Sequence, residues 1–462
     1  NLFRRFFAEG AFNQAFVPLY SEYEGKKDNL RSQEFLNAIT GILVLTLFIF
    51  TLIVLIFAPI FIFLFAPGFY FDPVKQDMSV QVLRIMFPYL ALISLVALAG
   101  GIQNTHQKFS IPALTPVIFN LSLIIAALFI APKYDMPIYV LAWSVLLAGF
   151  LQLIIQIAPL RSIKRLPIPK LNFQNEGIKK FFVVIFPAIL AGGIIQINLL
   201  VDTIFASLLE TGSPTWLYVS DRLVQFPLGI FAIAIGTVLL PTLSKLDANK
   251  ERIAFNNTIK KGQRFVLFIG VPSLIGLMFC AEDLISTIFY RGAFTEVDVF
   301  NSSMSLMAFS MGLPFFMLMK VLTPAFFARK DTKTPMFVAI ISLVLNASLN
   351  YLLAFVLNFG HVGIAIGSSV AALISVLILE GILYKDGFIK IHGVINRFNI
   401  MILFSSIALI IFLYFFTSMT NFMNFNQPQR FLFLTIEIII SIAIYFSVSK
   451  LIYQKSLKNL FN

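Results

Sequence analysis

With a single cysteine, Cys280, among 462 residues, this chain can form no internal disulfide and no Cys-based metal cluster. Histidine is almost as scarce. His106, His361 and His392 all fall in or near expected loops, which leaves little for a His-based metal site. No GxxxxGKS/T loop occurs, which argues against nucleotide hydrolysis. Only 12% of the residues are charged, against about 25% in an ordinary soluble protein. The chain is instead 59% hydrophobic and holds 53 Phe, more apolar surface than a soluble fold of this length can hide. The bulk must lie in a membrane. The net charge of +12 could suggest nucleic acid, but the basic residues flank membrane segments, and no nucleic-acid partner is expected.

Apolar stretches of about 20 residues, enough to cross a bilayer as helices, recur at 1–24, 34–65, 81–104, 112–131, 137–160, 181–208, 222–243, 264–290, 300–327, 336–357, 362–384, 397–417 and 430–450. The expected fold is therefore an all-α polytopic membrane protein with about 13 transmembrane helices in this chain. Pro59 and Pro67 should bend or end the over-long second stretch, and Pro88, Pro187, Pro227 and Pro314 fall inside others, as is common in transporter helices. Loops 25–33, 105–111, 160–180, 244–265, 328–335, 385–398 and 450–462 hold 25 of the 34 Lys and Arg. The alternate loops hold only Lys75, Lys133, Arg291 and Arg430. By the positive-inside rule the first set is cytoplasmic, with the C-terminus inside and Asn1 outside. The chain opens on a helix with no loop before it, so one further helix is expected ahead of Asn1, making fourteen in the full product.

Five basic residues belong to no loop: Arg4, Arg5, Arg84, Arg222 and Lys320. In the first stretch, NLFRRFFAEGAFNQAFVPLYSEY, the residues Arg5, Glu9 and Asn13 are spaced four apart and form one polar stripe on a Phe-rich helix. A charge well inside a bilayer costs at least ~2.5 kcal/mol, so such a stripe should face protein or a water-filled cavity. Any one of these arginines could snorkel to the headgroups. Four of them in the outer halves of three helices favour a shared cationic cavity. The guanidinium fork suits phosphate oxygens, and the expected substrate is anionic and phosphate-bearing.

A weak internal repeat is also present. AFVPLYSEYEGKK around Pro18 resembles VLLPTLSKLDANK around Pro241, and QKFSIP at Pro112 resembles KDTKTP at Pro335; both proline pairs are 223 residues apart. Two similarly oriented six-helix lobes follow, related by an axis along the membrane normal, with two helices left over. The expected divisions are an N-lobe at 1–160, a basic linker at 161–180, a C-lobe at 181–384 and a two-helix extension with a cytoplasmic tail at 385–462.

A second polar constellation pairs Asn198 with Asp202 in one helix and Asn346 with Asn350 in another. Each pair is spaced four apart and presents oxygens on one face. Two readings stand: a cation site, or a polar cluster that bonds helices together. Glu380 and Glu437 are lone intramembrane acids. Glu380, near a cytoplasmic helix end, is expected to be solvated, and nothing in the sequence accounts for Glu437.

NLFRRFFAEGAFNQAFVPLYSEY, FPYLALISLVALAGGIQNTHQKFSIPALTPVIFN, SDRLVQFPLGIFAIAIGTVLLPTLSK, FYRGAFT and AFFARKDTKTP, in this order over nearly the whole chain, together look like the MurJ (MviN) family. That family is similar in architecture to multidrug, oligosaccharidyl-lipid and polysaccharide exporters. The resemblance implies fourteen helices in two six-helix lobes, with a final pair beside a groove for a lipid tail. It also implies flipping of lipid II, the undecaprenyl-pyrophosphate-linked peptidoglycan precursor, from the inner to the outer leaflet of a bacterial cytoplasmic membrane. The family's arginine in its RR-F-x-EGA stretch corresponds to Arg4 or Arg5, with Glu9 beside it, and its Asp-Arg pair at the eighth helix to Asp221 and Arg222. Further charged residues of the family's first helix have no counterpart here. Gln225 stands where some members have an acid. Family members with a sodium site use an Asp where Asp202 stands and an Asn and an Asp in the eleventh helix, the second acid being Asn350 here.

The expected function is thus a lipid II flippase, a transporter and not an enzyme, working by alternating access through a cationic central cavity. The membrane potential would drive an anion outward, at ~2.3 kcal/mol per charge per 100 mV. Apart from sodium no cofactor is expected. The expected partners are lipid II, membrane lipids and cell-wall synthesis proteins, with the flippase active as a monomer. The alternative is an exporter of another polyprenyl-linked saccharide, or a cation-coupled antiporter. A drug antiporter for cations should have an acidic cavity, and here the excess is basic. A polyprenyl-phosphate glycosyltransferase would need paired acids on an outer loop, and Asp72, Asp77, Glu282, Asp283, Glu296 and Asp298 form no such pairing.

Overall fold

The computed structural model describes residues 11–25, 28–388 and 397–452, giving backbone alone for 11, 14 and 186–195. Among the described residues all regular structure is helical. Two compact units divide at Leu200 and Val201. The first holds α1 (Ala11–Gly25), α2 (Asn29–Ile56), α3 (Ala58–Phe65), the one-turn α4 (Pro67–Tyr70), α5 (Pro73–Met86), α6 (Tyr89–Thr105), α7 (Ser110–Ile125) and α8 (Pro137–Ser162). Helix α9 (Glu176–Ser207) contains the division. The second unit continues with α10 (Ser213–Pro227), α11 (Ile233–Ala248), α12 (Arg252–Phe279), α13 (Ala281–Phe289), α14 (Glu296–Ala328), α15 (Lys333–Asn350), α16 (Gly360–Lys385), α17 (Arg397–Met419) and α18 (Gln427–Ile452).

Eleven continuous helical stretches among the described residues are long and apolar enough to cross a membrane. Each of the thirteen expected spans coincides with helix, the first from Ala11 onward. The prolines act largely as expected. Pro59 lies in the first turn of α3, after the helix breaks at Phe57, and Pro67 opens α4. Pro73 opens α5, whose cap is Asp72: its carboxylate accepts from the amides of Val74 and Lys75 at 3.1 and 3.2 Å. Those N–H donors favour the charged carboxylate and hold Asp72 below the usual carboxylate range.

Two boundaries differ from the sequence reading. Helix starts at Pro73 instead of 81, and the expected basic loop 244–265 is almost wholly helical, because α11 runs to Ala248 and α12 begins at Arg252. Such polar helix ends protrude beyond the apolar segment, so hydropathy alone cannot distinguish them from loop. The repeat, faint in sequence, is sharp in the element boundaries. Asn29 and Arg252, Ala58 and Ala281, Pro73 and Glu296, Ser110 and Lys333, and Pro137 and Gly360 are all helix starts separated by 223 residues. Both α7 and α15 end in a widened π-turn, at Ala126–Ile130 and Tyr351–Val356.

In the first unit an aromatic ladder joins three helices. Phe12, Phe16 and Tyr20 of α1 stack at 5.5 Å intervals, Phe16 meets Phe35 of α2 at 6.1 Å, and Phe12 meets Phe181 of α9 edge-on at 5.5 Å. All five rings are buried. In the second unit the core is built on α14, whose Leu306, Leu313, Met317, Val321, Leu322 and Phe326 are wholly buried.

Candidate functional site

Asp202 lies in the last turns of α9, inside an otherwise apolar run, where a carboxylate must find donors. It finds them on two neighbouring helices. Asn346 and Asn350, one turn apart on α15, each donate an amide N–H to Asp202 Oδ1 at 2.7 Å. Ser368 of α16 donates towards Asp202 Oδ2 at 3.5 Å and to Asn346 Oδ1 at 3.2 Å. Both asparagines are fully buried. Gly367 permits this packing: a Cβ there would lie 2.4 Å from Asn350 Oδ1.

The structure brings Asp202, Asn346 and Asn350 together. Asn198 is one turn earlier on the same helix, in the first unit. Ser368 completes the cluster and was missed, because a lone serine in an apolar helix has no distinguishing spacing. The donor set fits a hard cation such as sodium: one carboxylate, two amide carbonyls and a hydroxyl are all oxygen ligands. Asn350 Oδ1 is buried without a hydrogen-bond partner, as an oxygen reserved for such an ion would be. In the present arrangement both amides turn their NH2 groups to Asp202, and the same atoms tie α9, α15 and α16 together.

The expected substrate-binding residues are distributed differently. Arg4, Arg5 and Glu9 lie outside the described residues. Arg84, in the last turn of α5, is exposed and donates Nε to the Leu55 carbonyl at 3.1 Å, leaving its terminal N–H groups directed elsewhere. Arg222 of α10 is exposed, with its guanidinium 4.7 Å over the Tyr218 ring. Asp221 accepts from Gln225 at 3.2 Å, so the amide at 225 serves as a donor to the neighbouring acid. A planar guanidinium stacked on an aromatic face keeps its edge N–H groups available for an anion.

The lone acids acquire partners. Glu380 accepts from Gln263 Nε2 at 2.7 Å. Glu437 is fully buried on α18 and accepts from the Cys280 thiol at 3.2 Å. Arg430, expected in a loop, is instead buried at the start of α18. It donates to the carbonyls of Phe422 and Met423 at 2.8 and 3.0 Å, with its guanidinium 4.7 Å over Tyr290. Cys280 and Tyr290 flank α13, so the contacts of Glu437 and Arg430 with them hold α18 against that helix.

The sequence profile of a family described as lipid II flippase MurJ matches residues 1–433. A probable lipid II flippase MurJ of Haemophilus influenzae is 38% identical over 422 residues, covering 88% of this chain and 82% of that protein. A solved structure of a lipid II flippase MurJ in an inward closed conformation superposes with a TM-score of 0.80 at 29% identity, covering 98% of this chain and 90% of that one. An inward-facing multidrug resistance MATE family transporter of the MOP superfamily shares the fold at 13% identity, with a TM-score of 0.64 over 82% of this chain and 86% of its own.

Proposed function

The chain belongs to the lipid II flippase MurJ family, and on that premise we propose that it carries lipid II across the bacterial cytoplasmic membrane, as a transporter and not an enzyme. The observation that supports this most is a family match extending over nearly the whole chain. Lipid II has a polar head that cannot cross hydrocarbon unaided and a polyprenyl tail that need not leave it. The protein has to shelter only the head. Arg84 and Arg222 each present an exposed guanidinium suited to the forked contacts that pyrophosphate oxygens accept, and Arg4 or Arg5 would add another, with Glu9 and Asp221 orienting them. Alternating access then changes the leaflet to which the head is open. An inward-negative potential favours outward movement of the anion. Asp202, Asn346 and Asn350, with Asn198 one turn away, would hold sodium, which supplies a fixed positive charge when bound. The basic loops and the C-terminus face the cytoplasm, and the flippase works as a monomer alongside cell-wall synthesis proteins.

The test is genetic. In a host depleted of its own flippase, the full-length gene should restore lipid II to the outer leaflet, measured by accessibility to an externally added probe. Arg222→Ala and Arg84→Ala, expressed at wild-type levels, should each reduce that restoration. Full rescue by both variants would remove these arginines from the mechanism, and no rescue by well-inserted wild type would indicate another polyprenyl-linked substrate.

A further inference from the structure

The segment after α8 is not a loose tether. Lys164 takes a left-handed conformation (φ 56°), and the amides of Lys164 and Arg165 fold back on the carbonyls of Arg161 and Leu160 at 3.0 Å, closing the helix end. Residues 166–170, stiffened by Pro167 and Pro169, then run along α2. Gln33 Nε2 donates to the Leu166 carbonyl at 3.1 Å, the Ile168 amide donates to Asn37 Oδ1 at 2.8 Å, and the Lys170 amide donates to the Asn37 carbonyl at 3.0 Å. The approach is so close that a Cβ on Gly41 would lie 2.3 Å from the Lys170 carbonyl oxygen. Arg165 is anchored as well, 2.9 Å from Glu24.

This docking leaves a shallow, open cleft bordered by Arg161, Lys164 and Arg165 on one side and by the amide side chains of Asn29, Gln33 and Asn37 on the other. Arg165 is already neutralised by Glu24. Arg161 and Lys164 are exposed, and neither has an ion-pair partner among the described residues. The N-terminus of α2, at Asn29, borders the same space, but its positive end is already answered by the Asp28 carboxylate, which accepts from the Arg31 amide at 3.2 Å. The two unpaired cations, with the amide NH2 groups of Asn29 and Asn37 beside them, suit a phosphate group, whereas Gln33 spends its donors on Asn37 Oδ1 and the Leu166 carbonyl.

The surroundings indicate which phosphate. Leu30 is 78% exposed, Ile168 62%, Leu171 60% and Phe173 57%. Leu30 and Ile168 line the cleft itself, and Leu171 and Phe173 follow in the same segment; a site for a water-soluble phosphate gains nothing from such bare apolar side chains. A lipid headgroup site does, since those side chains would enter the acyl boundary beside it. We propose that the cleft between α2 and the segment 161–173 binds the phosphate headgroup of an anionic membrane phospholipid, with Arg161 and Lys164 holding the phosphate and Leu171 and Phe173 the chains. The linker thereby lies fixed on the membrane surface as a ligand-bearing part of the first unit. The proposal does not depend on the identity of the transported substrate.

The experiment is native mass spectrometry of the full-length protein titrated with phosphatidylglycerol, phosphatidylcholine or inorganic phosphate. Wild type should retain phosphatidylglycerol in preference to phosphatidylcholine, with millimolar inorganic phosphate unable to displace it. The exposed pair Arg161→Gln/Lys164→Gln should weaken the tightest phosphatidylglycerol binding about tenfold, and Leu171→Ser/Phe173→Ser should weaken it too. Lys245→Gln/Lys261→Gln, two exposed basic residues of the second unit, should leave it unchanged. Equal retention by wild type and Arg161→Gln/Lys164→Gln would overturn the proposal. Displacement by inorganic phosphate would also overturn it, by making the site one for free phosphate.

Discussion

Asp202 shows how a charge can lie deep in an apolar helix. Two amide donors at 2.7 Å stand in for the water it has lost. Removing the acceptor should therefore expose a cost on the donor side. Asp202→Ala leaves two buried amides short of a partner and should cost about 1–3 kcal/mol, read as a lower thermal midpoint of the purified protein. In a thermal-shift series, sodium should stabilise wild type more than potassium does, and Asp202→Ala should lose that difference. Equal shifts with both ions would leave the cluster as a purely structural tie between helices. Much of this site was legible beforehand. A carboxylate in INLLVDTIFASLL and two asparagines at helical spacing declare a polar face whatever surrounds it. Ser368 was not legible, and neither was the link between Glu437 and Cys280, because each contact joins residues far apart in sequence that have no periodic neighbours.

At the level of the helix, proline and aromatic placement account for most of what is seen. The ladder Phe12–Phe16–Tyr20 follows from aromatics spaced four apart on α1, and each ring is nearly inaccessible. Phe16→Ala should destabilise the first unit by about 3–5 kcal/mol, measured as a shift in its unfolding midpoint, whereas the exposed Phe109→Ala should change little. Helix ends were harder to read. Gln107 takes φ 58° just after α6, and Lys330 takes φ 61° at the matching position after α14, yet neither is a residue that announces a left-handed cap. Gln107→Gly should relieve that strain and stabilise by about 1 kcal/mol, detectable in the same unfolding measurement. The reach of α12 back to Arg252 was equally hidden, since its first turns are mostly polar and bury only a narrow apolar stripe, Phe255 and Ile259.

Over the whole molecule, a duplication at 223 residues organises the helices, and the family match gives that architecture a task. The repeat was visible in sequence only through two proline pairs, because its two copies conserve helix boundaries far better than side chains. The arginines that no loop could claim were legible as candidates for holding an anionic head, and of these Arg84 and Arg222 are exposed. Their joint action is the part of the mechanism most open to measurement. The decisive experiment places the purified full-length protein in liposomes with labelled lipid II in one leaflet and follows its transfer under an imposed potassium-diffusion potential. Lipid II should cross only in protein-containing vesicles and faster towards the positive side. Arg222→Ala should slow the transfer at least about tenfold, as loss of a charge-assisted contact would. Transfer at the same rate with and without the arginine, in either direction of potential, would contradict a flippase that carries its anionic head on these arginines.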